Sequence, residues 1–192
     1  MHGFVAKSCV AVAISFPAAA CAAPHKVMDL RTMTDPAGEF SVSLCTRPSP
    51  TGNVPGHAFV VYAHKPPTGN RKVLAIGFTT TSGAAKAALS YNGWLSVADG
   101  HLGEERFTHM NENCLVTLVD KKVFDNAWAI AHPFASVPGL ATLVWTADYR
   151  LAENDCMTFM INVAKTLPSV KVPARGATEL PRPYLRRLIE AN

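Results

Sequence analysis

The sequence predicts an α+β domain in which an antiparallel sheet packs against a buried helix. Four runs have the alternating or strongly apolar pattern of strands: 39–46, 57–63, 72–80 and 113–119. A later run, roughly 154–167, is apolar on nearly all sides, which is typical of a helix in the centre of a domain. With 192 residues, 48% of them apolar, the chain can form one core of this kind.

Turns and breakers divide these strands from one another. The Gly- and Pro-containing segments 51–56 and 66–70 separate the first three strands, and 66–70 has the spacing of a hairpin. In the first strand Phe40, Val42 and Leu44 share one face. The stretch 81–112 is rich in Gly, Asn and Asp, and we expect it to be less regular.

Capping residues and prolines place the helices. Asp120 is a good N-cap for a helix that Pro133 ends, and 140–149 is predicted to be a further strand. Pro168 ends the buried helix. A short amphipathic helix is expected from Pro181 onward.

The N-terminus predicts export. Residues 1–22 resemble a secretory signal peptide, with a positive Lys7 and an apolar run too short to span a bilayer comfortably. Ala20-Cys21-Ala22 is an A-x-A-like cleavage site. Two alternatives remain open: lipoprotein processing at Cys21, and an uncleaved membrane anchor.

Cleavage after Ala22 leaves a leader, 23–37, and a single domain, 38–192. No other long apolar run follows, so we expect no transmembrane span in the mature chain, which would be periplasmic or secreted. The oligomeric state is not predictable from the sequence.

Charge and motifs exclude several functions. The net charge of +4 is mild, and the only basic cluster is Arg182, Arg186 and Arg187, so we expect no nucleic-acid partner. The chain has no Gly-rich phosphate loop, no GxSxG, and no HExxH or CxxC spacing. We therefore expect neither a metal site nor a cofactor.

Three cysteines remain after signal cleavage: Cys45, Cys114 and Cys156. Cys45 and Cys114 lie in predicted strands and could form a disulfide, which would leave Cys156 as a free thiol. The alternative is that all three are buried, reduced residues, since the sequence cannot supply the Cα separation that a disulfide needs.

Cys156 and His57 are the candidate catalytic residues. Cys156 lies at the predicted start of the buried helix, where the macrodipole and free N–H groups favour a thiolate. His57 begins the second strand, and one Cys with one His form the essential parts of a thiol site. Each residue could instead be a packed core side chain. Asp155 would oppose a thiolate if it pointed inward, but it could also act as an N-cap.

Three motifs together resemble the circularly permuted NlpC/P60-type papain-like hydrolases. They are Gly56-His57-Ala58-Phe59, Ile76-Gly77-Phe78, and the run from Tyr149 to Phe159 that contains Asn154-Asp155-Cys156. The order His before Cys is what the permutation produces. The resemblance covers about residues 38–190 and implies a papain-like fold.

The resemblance also implies roles for individual residues. Cys156 would be the nucleophile and His57 the base, with Tyr149, Asn154 and Asp155 supporting the oxyanion site. The family usually has a polar residue on the next strand that orients the imidazole. Here that strand offers Thr79 (or Thr80), and the 81–112 segment offers Asp99, His101 and His109 as alternatives.

The expected function is that of an exported thiol hydrolase that cleaves amide or peptide bonds, with peptidoglycan peptides as a candidate substrate. Two alternatives stay open: a non-catalytic envelope binding module on the same scaffold, and a thiol acyltransferase or lipid hydrolase. Alkylation separates an active thiol from an inert one, because a cysteine of low pKa reacts quickly near pH 6 and a buried structural cysteine does not.

Overall fold

The computed structural model describes residues 25–50, 56–91, 97–111, 113–131 and 145–192. The predicted signal peptide and its cleavage site lie outside these residues. None of the helices in the described part of the chain is long and apolar enough to cross a membrane.

The described residues form an α+β fold around a seven-stranded sheet, as predicted. Its strands are β1 His25–Asp29, β2 Glu39–Arg47, β3 His57–Lys65, β4 Lys72–Thr80, β5 Ala98–Glu104, β6 Asn113–Val119 and β7 Trp145–Tyr149. They lie in the order β1-β6-β2-β3-β4-β5-β7.

The sheet is mixed, not purely antiparallel as predicted. β1 runs parallel to β6, with His25 opposite Cys114, whereas the other neighbouring strands are antiparallel. The parallel strand comes from the segment 23–37, which we had expected to be only a leader. Because this strand follows no alternating apolar pattern and lies at the edge of the sheet, its sequence carries little strand signal.

In the described ranges four α-helices accompany the sheet: α1 Gly83–Leu89, α2 Lys121–Ile130, α3 Cys156–Ala164 and α4 Pro181–Ala191, with a 3₁₀ turn at Thr108–Met110. The stretch 81–112 is thus more regular than predicted. Its alanine-rich run forms α1 because alanine has the highest helix propensity. β5 escaped prediction because glycines and charged residues interrupt its alternation.

The two faces of the sheet carry different residues. One face packs on α3 and α4 and contributes Val42, Leu44, Val60 and Ile76 to the main core. The opposite face carries a smaller cluster of Cys45, Phe59, Ala75 and Cys114. Helix α3 is buried as predicted and makes its main sheet contact with β3. The start of α3 therefore lies close to the start of β3.

A disulfide joins Cys45 of β2 to Cys114 of β6, which lie directly opposite each other in the antiparallel register. The sequence left this pairing open. Cys156 is then the free thiol in the described part of the chain, and it is buried.

Removing this disulfide should destabilise the fold without touching the candidate site. The loop that it closes spans 69 residues, so we expect the Cys45→Ala/Cys114→Ala variant to lose about 2–4 kcal/mol of unfolding free energy. Urea unfolding measures the loss. Peptide mapping after alkylation of unreduced, denatured protein is the control, because only Cys156 of the three should be labelled. Labelling of all three would contradict the disulfide.

Candidate active site

Cys156 is the first residue of α3, and its thiol faces the beginning of β3. The backbone N–H of Ala58 donates to Sγ, and the Tyr149 hydroxyl lies within hydrogen-bonding reach of the same sulfur. Only 5% of Cys156 is exposed. Because Ala58 directly follows His57 in the chain, the thiol lies beside the backbone of the histidine that the sequence analysis paired with it.

His57 lies beside a buried carboxylate. Its Nε2 lies 3.5 Å from Oε2 of Glu105, a carboxylate just beyond the end of β5. Arg47, which is opposite His57 in the β2–β3 register, approaches the same oxygen at 2.9 Å. The Phe107 N–H donates to the other carboxylate oxygen, and the Arg47 guanidinium lies 5.0 Å from the centre of the Phe107 ring. These contacts hold the imidazole in one orientation.

Gly77 makes room for the His57 ring. A Cβ atom at this position would lie 2.3 Å from Nε2, a separation that real Cβ contacts do not show. The glycine of the Ile76-Gly77-Phe78 motif therefore has a steric role.

The sequence analysis named Thr79 as the residue that would orient the imidazole, whereas the structure brings the carboxylate of Glu105 to His57. Thr79 lines the same cleft as His57, but the nearest charged acceptor of Nε2 is Glu105. The other candidates lie elsewhere: Asp99 bonds to Ser82, and His109 packs near Phe107. Glu105 escaped prediction because β5 was not recognised as a strand, so nothing indicated that its end lies near His57.

Asp155 is the N-cap of α3, which resolves its ambiguous role. One carboxylate oxygen accepts the N–H groups of Met157 and Thr158, and the other accepts that of Ala152. Arg175 binds both oxygens at 2.8 Å. Burial raises the pKa of this carboxyl, but the hydrogen bonds and charge of Arg175 outweigh burial, so its pKa is lowered overall.

Asn154 stabilises the loop before α3. Its side-chain amide donates to the Asp148 carbonyl at 2.6 Å, and its backbone forms an isolated bridge with Arg150. These contacts favour a structural role for Asn154.

The thiol and the imidazole are both neutral at pH 7. Burial, with a smaller contribution from the Asp155 charge, raises the pKa of Cys156 to about 12. Burial also lowers the pKa of His57 to about 4, although Glu105 acts in the opposite direction. The expectation of a preformed thiolate is therefore wrong, because burial of the thiol and the neighbouring Asp155 charge outweigh the N–H groups that contact the sulfur.

Two clefts open beside these residues. One, of about 110 Å³, contains Cys156 and Tyr149, and the segment from Arg175 to Pro181 covers it. The other, of about 160 Å³, contains His57, Glu105 and Arg47. The second cleft adjoins a larger groove of about 840 Å³ across β5 and β7, with which it shares Gly103, Glu104 and Arg106.

Comparisons with family models, with curated proteins and with solved structures find no match for this chain. Among the described residues, no group of three His, Cys, Asp or Glu side chains could hold a metal ion.

The neutral thiol should react slowly with alkylating agents. At pH 7 we expect iodoacetamide to label Cys156 at least 100-fold more slowly than a free cysteine of pKa about 8.5. The rate should then rise about tenfold per pH unit up to pH 10, because only the thiolate reacts. Intact mass measured over time gives the rate, and urea-denatured protein is the control. Fast labelling of the folded protein near pH 6 would contradict this protonation state.

The Asp155–Arg175 pair should contribute to stability above pH 4. In Arg175→Ala the buried carboxylate loses its partner, and we expect a loss of up to about 3 kcal/mol. Because the folded protein lowers the pKa of Asp155, this stabilisation is present above the unfolded pKa of about 3.9 and disappears as pH falls through the folded value. The stability difference between wild type and variant should therefore shrink below pH 4.

Arg187→Ala is the matched control for this prediction. Arg187 pairs with Glu179 at 2.6 Å, but its side chain is 46% exposed, so its loss should cost no more than about 1 kcal/mol. Equal losses of unfolding free energy for Arg175→Ala and Arg187→Ala would show that burial of the Asp155–Arg175 pair does not increase its contribution to stability.

Proposed function

We propose that this chain is an exported thiol hydrolase on a papain-like scaffold, in which Cys156 attacks an amide carbonyl and His57 acts as the base. The observation that supports the proposal is the hydrogen bond of the Cys156 sulfur with the N–H of Ala58, the residue that follows His57, together with the Glu105 oxygen 3.5 Å from His57 Nε2. In the proposed reaction Nδ1 of His57 takes the thiol proton.

The fold is compatible with this scaffold. A buried helix with a cysteine at its first residue packs on a sheet whose third strand begins with the histidine. The permuted NlpC/P60 hydrolases, which the three sequence motifs resemble, use the same order of His before Cys. Glu105 would supply the third polar residue that this resemblance requires.

The first step begins from a neutral pair. As Sγ forms a bond to the carbonyl carbon, its proton moves to His57, so that no thiolate has to exist beforehand. Glu105, paired with Arg47, stabilises the imidazolium that forms. The developing oxyanion has two candidate donors. The Cys156 N–H has no hydrogen-bond partner among the described residues, and the Tyr149 hydroxyl lies beside the sulfur.

The second half of the reaction returns the proton. His57 protonates the amine as the C–N bond breaks, which leaves a thioester on Cys156. Water then attacks the thioester and gives its proton to His57. The C–S bond breaks and the sulfur recovers the proton, so the products are a carboxylic acid, an amine and the original thiol.

Export, proposed from the N-terminal sequence, would place the enzyme in the cell envelope or outside it. Peptides of the cell wall are then the candidate substrates, because their amide bonds are abundant there. This location is also compatible with the Cys45–Cys114 disulfide, since disulfides persist in oxidising compartments.

One observation favours a second candidate, a binding module on the same scaffold. The thiol is 5% exposed and its pKa is raised, as is typical of a cysteine that is packed and inert. In that case the polar groove across β5 and β7 would bind a ligand without chemistry.

Digestion of purified cell-wall peptides should separate the two candidates. We expect wild type to release new peptide termini, whereas Cys156→Ala should abolish release and His57→Ala should lower it by at least 100-fold. Mass spectrometry of the products measures both effects. Turnover that survives in Cys156→Ala would remove the hydrolase proposal, and unchanged ligand binding in that variant would favour the binding module.

Glu105→Gln tests whether the carboxylate orients His57. We expect kcat to fall tenfold or more and the His57 titration midpoint, followed by NMR, to fall below its wild-type value because the stabilising charge is lost. Glu39→Gln, which removes a half-exposed carboxylate from the other end of the sheet, is the control. A normal midpoint and normal kcat in Glu105→Gln would show that the residue only packs.

A further inference from the structure

We infer that the acyl half of the bond cleaved at Cys156 is a short, uncharged apolar group that binds in the cleft beside the thiol. The inference rests on the proposed thiol-hydrolase function. It concerns which carboxylic acid the enzyme would release.

The walls of this cleft are mainly apolar. The large apolar and aromatic side chains that line it are those of Tyr91, Tyr149, Leu151, Met157, Leu180 and Pro181. Apolar groups gain free energy when they leave water for such a surface, whereas a polar group without a partner loses it. An acyl group of aliphatic character therefore fits this cleft.

The charged residues in the cleft already have partners. Arg175 and Asp155 bind each other through two hydrogen bonds of 2.8 Å. Glu179 receives Arg187 at 2.6 Å and the Gly176 N–H at 3.0 Å. No charge among the described lining residues is therefore left to recognise a carboxylate or an ammonium group on the acyl side.

The size of the cleft limits the length of the acyl group. Its volume of about 110 Å³ holds roughly four groups of the size of a water or methylene. Ala177 is part of the lining, and its carbonyl accepts a hydrogen bond from Tyr91 at 3.1 Å. Acyl groups of about four to six carbons therefore match the available space.

The other half of the substrate meets different surroundings. His57 protonates the leaving group in the proposed reaction, so that group lies on the His57 side. There the lining includes the polar side chains of Thr79, Glu104 and Arg106. An apolar acyl group and a polar leaving group would therefore bind in one orientation.

A series of p-nitrophenyl esters tests the inference, because the acyl group varies while the leaving group stays constant. In each reaction Sγ bonds to the carbonyl carbon, the C–O bond breaks, and p-nitrophenol leaves with the proton from His57. The series contains acetyl, butyryl, hexanoyl, decanoyl and succinyl esters. Rates are divided by those of N-acetylcysteine to remove differences in intrinsic reactivity.

We expect kcat/KM to rise about fourfold per methylene from acetyl to butyryl, to remain high at hexanoyl and to fall at decanoyl. The succinyl ester, which adds one charge, should react at least tenfold more slowly than the butyryl ester. Ala177→Leu, which fills the cleft from an exposed position, should move the optimum to acetyl. Leu89→Ala, an exposed leucine outside the cleft, is the matched control and should keep the wild-type profile.

Intact mass of the acyl-enzyme shows whether the apolar acyl group alone is wrong or the thiol-hydrolase function is wrong as well. A thioester on Cys156 with a flat chain-length profile, or with a preference for succinyl, overturns the apolar acyl group and leaves the thiol hydrolase standing. No thioester on Cys156 with any of the esters overturns the thiol hydrolase and the acyl group together.

Discussion

The carboxylate of Asp155 joins three parts of the chain at one point, and the candidate site depends on that junction. It accepts N–H groups from the loop before α3 and from the first turn of α3, and it binds Arg175 from the segment before α4. The residue is 1% exposed, so the loss of one partner would leave a buried charge. Cys156 follows Asp155 directly, and the junction therefore determines where the sulfur meets β3.

Burial and the same junction together keep the thiol neutral. A helix N-terminus typically favours a negative charge by about 0.3–1 kcal/mol, but here the charge that benefits is that of Asp155. Burial and the neighbouring carboxylate raise the thiol pKa from 9.0 to about 12, which corresponds to about 4 kcal/mol against the thiolate. Burial is the larger effect. Any reaction at Cys156 therefore needs proton transfer to a base in the step that forms the new bond.

Local sequence patterns were enough to predict much of the fold. The strands 72–80 and 113–119 were predicted with the bounds that the structure has, and the predicted helix begins near Cys156 because Asp155 is a strong cap. The secondary structure of the 81–112 stretch was harder to predict. The glycines of β5 weaken the strand pattern, and the parallel pairing of β1 with β6 joins segments almost 90 residues apart. No local pattern encodes such a pairing.

The candidate site was predictable only where neighbours in sequence are neighbours in space. Asp155 acts on the thiol that follows it, and the sequence showed both residues. Glu105 acts on His57 from a different strand, and its role depends on the sheet order. The expectation of a thiolate was wrong for a related reason. It was based on the local position of Cys156 at the start of a helix, whereas the burial that raises the thiol pKa depends on the whole fold.

Two glycines, Gly77 and Gly103, allow the side chains of His57 and Glu105 to approach each other from non-adjacent parts of the sheet. β4 lies between β3 and β5, so the backbones that carry His57 and Glu105 are about 9–10 Å apart. Gly77 of β4 is opposite Gly103 of β5, and neither has a side chain that could fill the space between. The imidazole lies over Gly77, where a Cβ would collide with Nε2, and the carboxylate reaches it from the far side. β4 would normally separate the Glu105 carboxylate from the His57 imidazole, but its glycine leaves space for the two side chains to approach each other. The geometry of this pair therefore follows from the register of β3, β4 and β5.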